Sequence, residues 1–124
     1  MTSSLLLRVS IVLLVVGLCF GIAMGAAQDF SLAPAHAHLN LVGFVLLFLA
    51  GLYYRAVPAA ERSRLAKWQA WLAIIGGIML PAALAAELGI DHVFVSLVIA
   101  GSFLVLIAAV LFAIIVFRTS ALRA

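Results

Sequence analysis

Four long apolar runs, joined by short polar connections, constrain this chain more than any other feature. They lie at about residues 5–25, 35–54, 68–88 and 92–117. Crossing a hydrocarbon core of roughly 30 Å takes about 20 apolar residues at a rise of 1.5 Å each, so every run is long enough to span. Lipid offers no water to backbone N–H and C=O groups, and a helix satisfies both within one segment. The expected fold is therefore all-α: a four-transmembrane-helix bundle forming one membrane domain over residues 1–124. Composition agrees, with 69% hydrophobic and 9% charged residues and a mean hydropathy of +1.40. A net charge of +3 is too small to pave a nucleic-acid groove, so no nucleic-acid partner is expected. The single cysteine, Cys19, lies inside an apolar run, which excludes an internal disulfide or a multi-cysteine metal site. No phosphate-cradling glycine loop, nucleophile elbow or zinc-protease signature occurs, and hydrolytic chemistry has no foothold.

Loop charges set the expected topology, because Lys and Arg near span ends resist translocation. Arg55, Arg62, Arg64 and Lys67 fall between the second and third runs, Arg8 near the amino end, and Arg118 and Arg123 near the carboxyl end. The other two loops hold only Asp29, Glu87 and Asp91 as charges. Both termini and the middle loop should be cytoplasmic, in a bacterial inner membrane. Gly25-Ala26-Ala27 has the small residues a signal peptidase accepts, but the length of the preceding run favours a span. Pro34 suits a first helical turn, where its missing N–H costs nothing. Gly76-Gly77 and Pro81 predict a kink or local unwinding in the third run. Trp68, Trp71, Tyr53 and Tyr54 read as interfacial anchors.

This topology places His36, His38 and His92 in the outer leaflet. Ligating side chains at membrane depth are costly and usually face a cavity, a partner or a cofactor. On a helix, residues two apart differ by about 200° in direction. His36 and His38 therefore address different neighbours unless their turn is irregular. Asn40, four residues beyond His36, shares its face and offers a polar partner to an imidazole or to a cofactor propionate. Neutral imidazole is the usual axial donor to haem iron, and the flat apolar ring of haem suits a helix bundle. The plainer alternative is that these histidines bond water or loop carbonyls at the interface.

The stretch His36-Ala37-His38-Leu39-Asn40-Leu41-Val42-Gly43-Phe44 resembles the His-x-His helix of the catalytic subunit of haem-copper oxidases. Its Leu39 and Gly43 bring it closer to the nitric oxide reductase branch. Together with Tyr53-Tyr54-Arg55 and the basic loop, the pattern is similar to small four-span bacterial proteins described as cytochrome c oxidase-like. The resemblance implies that one histidine of the pair binds one haem and the other a second, on opposite sides of the helix and near the outer face. The residues together point to b-type haem held through His36 or His38, or one haem at each, with His92 as a further ligand within or across chains and Asn40 as a polar neighbour. The large subunits have about three times as many spans, and their second metal needs further histidines where this chain has only His92. A complete binuclear centre is thus unsupported, and no copper is expected. Because the large subunits arrange their spans as three arcs of four, the resemblance implies a homo-oligomer, a trimer ahead of a dimer, with a redox partner.

Gly17, Gly21 and Gly25 recur every four residues and let backbones approach closely, either at a subunit or haem-facing groove or within one protomer. Gly43 and Gly51 admit the same two readings. Met24 is at a depth suited to a sixth haem ligand, although Met is commonly a gap filler. Asp91 is placed to cap the fourth helix. The leading expectation is a haem-binding membrane protein that transfers electrons or binds a diatomic gas. Its alternative is a haem-free scaffold or assembly factor. A small carrier using Glu87, Asp91 and His92 ranks third, since all four acidic side chains lie at span ends or in loops.

Overall fold

The structure, a computed structural model, describes residues 1–121; Arg123 lies outside them. Four helices carry the expected runs: Thr2–Ala27, Ala33–Ala56, Arg64–Gly89 and Val95–Ala121, here spans 1 to 4. A single helical turn, Pro58–Glu61, sits between spans 2 and 3. Among the described residues there is no strand.

Local chemistry marks the ends. Pro34 and Pro58 occupy first turns, where a missing N–H costs nothing. Ser63 caps span 3, its hydroxyl accepting from the Ala66 N–H at 3.1 Å. Span 1 closes on Gln28 in the left-handed conformation, with φ 52°, and the amides of Gln28 and Asp29 turn back to the carbonyls of Gly25 and Met24 respectively.

Span 3 does not unwind where its sequence predicts. It is α-helical through Gly76, Gly77 and Pro81. The irregularity lies in span 2 instead, where Leu39–Val45 forms a π-helical segment. The two features meet. Pro81 has no N–H to offer the carbonyl four residues back, and that carbonyl, on Gly77, lies 3.2 Å from where a Gly43 Cβ would stand. Reciprocally, a Cβ on Gly77 would stand 2.9 Å from the Val42 carbonyl oxygen. Spans 2 and 3 therefore cross backbone to backbone, the close approach that small residues permit in a membrane and that weak Cα–H···O contacts accompany. Gly43 thus serves helix crossing within the chain. Gly51 likewise meets Leu6 and Leu7 of span 1. Spans 3 and 4 repeat the device, with Gly101 against the Leu80 backbone and Gly76 against Val105, each at 3.0 Å.

The bundle is tight at one end and open at the other. Ser3 donates through its N–H (3.0 Å) and its hydroxyl (2.7 Å) to Glu61. Thr119 gives its hydroxyl proton to the Ile115 carbonyl at 2.7 Å, so the Tyr53 hydroxyl must be the donor to Thr119 at 2.6 Å. Tyr54, fully buried, donates to Gln69 at 2.8 Å. Phe112 stands edge-on to both tyrosine rings. The start of span 1, the basic loop and the end of span 4 thus share one end, as an even number of spans requires. Trp68 and Trp71 are exposed there, as interfacial anchors should be, but Tyr54 belongs to the core and Tyr53 to a helix contact. Toward the histidine end, span 4 buries little. Its seam is Gly101, Ala108, Ile115 and Thr119 alone.

The Glu61 tie makes a testable contribution. The Ser3 hydroxyl and then the Ser3 amide hold this carboxyl below the ordinary glutamate value, with smaller help from the amino terminus and Arg55 against slight desolvation. A lowered folded pKa adds stability that is present above the unfolded value and lost as pH falls through the folded one. Glu61→Gln is expected to cost about 1 kcal/mol at pH 7, allowing for solvent screening. Melting of the two proteins in detergent should converge in acid below the ordinary glutamate range.

Candidate functional site

The three histidines occupy one end of the molecule in three different settings. His36 points into the contact between spans 1 and 2. Its Nε2 lies 3.2 Å from the Asn40 amide nitrogen, and its ring meets Phe20 edge-on at 5.7 Å between centroids. A Cβ on Gly21 would stand 3.0 Å from the ring, and one on Gly17 would collide with the Asn40 amide oxygen. Two of the three regularly spaced glycines of span 1 therefore make room for this polar pair inside the protomer; Gly25 has open space beside it. The same-face relation of His36 and Asn40 holds. With the amide nitrogen facing Nε2, the imidazole proton sits on Nδ1, which is buried without a hydrogen-bond partner, as is the Asn40 carbonyl oxygen. Gly21 and Phe20 of span 1 thus pack directly against this ring.

His38 faces elsewhere, as two residues' rotation requires. Its Nδ1 lies 2.7 Å from the Pro34 carbonyl oxygen, which can only accept, so Nδ1 carries the proton and Nε2 bears the lone pair. That lone pair makes no hydrogen bond among the described residues, and the ring is partly exposed. A backbone carbonyl holding one imidazole nitrogen is the usual way a protein fixes the tautomer and orientation of a ligating histidine.

His92 sits in the loop before span 4, with its ring 84% exposed and Nδ1 3.3 Å from Glu87. The other Glu87 oxygen accepts from the Phe94 amide at 2.8 Å. Glu87, not Asp91, therefore caps the start of span 4, while Asp91 is exposed. No local pattern signals this, since Glu87 reaches across seven positions from the end of the preceding helix. Replacing Glu87 by Ala should loosen both the amide at the start of span 4 and the His92 ring, costing about 1 kcal/mol as cap losses do; hydrogen exchange at Phe94 reads it directly. Met24 is buried within the protomer.

Among the described residues no three His, Cys, Asp or Glu side chains come together as a metal site. Beside the helix that bears the histidines, spans 1, 2 and 3 leave an apolar groove of about 250 Å³, lined by Phe20, Ala35, Leu39 and Pro81 among others. That is below the roughly 300–1,000 Å³ typical of cofactor sites. His38, with its proton fixed by Pro34, its Nε2 without a hydrogen-bond partner among the described residues and its ring partly exposed, is the histidine best arranged to bind something outside its own protomer. Compared with protein-family models, with curated proteins and with solved structures, the chain matches none.

Proposed function

We infer that this chain is a b-type haem-binding protein of a bacterial inner membrane, with both termini cytoplasmic, acting in electron transfer or diatomic gas binding. The observation that carries this reading is the Pro34 carbonyl on His38 Nδ1, which leaves Nε2 as an oriented donor at the outer end of span 2. Haem, when bound, would supply an iron that cycles between ferrous and ferric states or takes a diatomic ligand. His38 would hold that iron and set its orientation. His92, oriented by Glu87 in the same manner, is the second donor, and Asn40 with His36 fixes the helix that presents His38. The apolar groove is too small to enclose a macrocycle, so the cover comes from a second copy, and a homotrimer is favoured over a dimer. The narrow buried seam of span 4 leaves ample helix surface for that contact.

The test is a reduced-minus-oxidised absorption spectrum of protein purified from cells supplied with haem precursors. A Soret band and sharpened visible bands on reduction are expected. Their absence would leave a haem-free scaffold, which the largely unburied span 4 also accommodates, and in which alanine at both His36 and His38 leaves function intact.

A further inference from the structure

Arg8 lies six residues into span 1, about 9 Å from its start at 1.5 Å per residue, and is exposed. A guanidinium at that depth on a lipid-facing surface is costly unless an anion meets it. No carboxylate lies within ion-pair distance of it among the described residues. Arg55, at the end of span 2, lines the same pocket of about 500 Å³, together with Ser4, Leu7, Ile11 and Val12. Its guanidinium donates to the Ser4 hydroxyl at 3.1 Å, which steadies it at the pocket rim. Arg8 also borders a second hollow with Leu13 and Ile78. The same two residues open the apolar groove that runs on to Phe20 and Pro81. A doubly cationic hollow thus adjoins a succession of apolar hollows along span 1 that share Arg8, Val12, Leu13 and Ile78 as walls.

We propose that Arg8, Arg55 and Ser4 bind the headgroup phosphate of an anionic phospholipid, with an acyl chain lying along Val12, Leu13 and Ile78 toward Phe20. The shape, one charged end and one apolar length, is that of a lipid. The acidic side chains of a second copy in the same orientation are poorly placed to supply the anion. Three of the four acidic side chains lie in the histidine-end loops or beside them, and the fourth, Glu61, is held by Ser3. The phosphate end of this site lies at the opposite end of the bundle from the histidines, while its acyl end reaches the groove at Phe20, which touches His36.

Native mass spectrometry of the full chain, released from detergent with equimolar phosphatidylglycerol and phosphatidylcholine, tests it. Selective retention of phosphatidylglycerol is expected, falling about fivefold for Arg8→Gln or Arg55→Gln and about thirtyfold for both together, from the usual worth of one basic residue against anionic lipid. Arg64→Gln, which removes equal charge elsewhere, should leave retention unchanged and guards against a simple loss of net charge. Ile78→Asn should weaken retention with the arginines intact. Equal retention of the two lipids, or an equal loss in Arg64→Gln, overturns the proposal. So does displacement by glycerol phosphate at the lipid's own concentration, which would mark a free-phosphate site. Loss of oligomer mass in the double variant with lipid retention unchanged would assign the pocket to a second copy and also overturn it.

Discussion

Gly77→Val is expected to unfold the bundle, or to leave it unable to survive extraction into mild detergent. The first added carbon would stand 2.9 Å from the Val42 carbonyl oxygen and 3.1 Å from a Leu47 methyl. The Leu47 methyl can turn aside; the Val42 carbonyl belongs to the π-helical backbone of span 2 and cannot move alone. Spans 2 and 3 would have to separate, and they are the two central spans, each 39% buried against 17% for the outer pair. Overpacking against side chains typically costs 1–3 kcal/mol, and a clash with backbone belongs at or above the top of that range, about 3 kcal/mol. Membrane helices have no hydrophobic drive to repack and depend on close contact, so little offsets the loss. Gly77→Ala should already be destabilised, by roughly half as much on the same argument. Gly25→Ala, on the same glycine-rich side of the chain but with nothing within 4 Å, should be neutral. Thermal unfolding in detergent, followed by the buried Tyr54, ranks the three. A Gly77→Val protein as stable as the parent would mean that the crossing is not backbone to backbone.

How much of this was legible in the sequence depends on the range of each interaction. The spans could be read because hydropathy is a sum over twenty residues and tolerates any local detail. The shared end of the termini and the basic loop followed from charge placement and an even span count. The pairing of His36 with Asn40 was also legible, being a same-helix relation fixed by periodicity. What could not be read depends on which helix lies opposite. The glycine series of span 1 fitted a subunit contact and an internal one equally, and only the position of span 2 decides that Gly17 and Gly21 shelter Asn40 and His36. Tyr54 looked like an interfacial anchor because tyrosine at a span end usually is; Gln69, fifteen residues on, makes it a core residue instead. Pro81 signalled disruption, and the disruption passed to the neighbouring helix. Span 3 stays α-helical and turns its Gly77 carbonyl toward span 2, which is the helix with the π segment.

His38→Ala is expected to remove the haem signal entirely, whereas His36→Ala should keep it. The two residues are separated by one position, yet their chemistry is opposite. His38 has its proton tied to a backbone carbonyl and its other nitrogen without a hydrogen-bond partner among the described residues, while His36 is wedged between Gly21, Phe20 and Asn40 and accepts at Nε2 from an amide. Losing His36 removes its same-helix bond to Asn40 and its edge-on contact with Phe20 of span 1, together worth about 1 kcal/mol, so the variant should melt earlier while its spectrum is preserved. On the proposed reading, losing His38 would remove an iron ligand but no contact that joins the spans, so its melting temperature should be unchanged in the haem-free state. The contrast guards against reading a misfolded variant as a ligand variant. His38→Gly supplemented with free imidazole supplies the stricter check, because an added ligand can restore the spectrum only if the cavity it fills lies on the iron. His92→Ala then tests the second donor: the bands should persist but shift from those of the parent, whereas an unchanged spectrum would remove His92 from the proposed ligand set. If His36→Ala rather than His38→Ala erased the bands, iron would have to sit between spans 1 and 2, and the packing of Gly17 and Gly21 against Asn40 and His36 could not be that of the loaded protein.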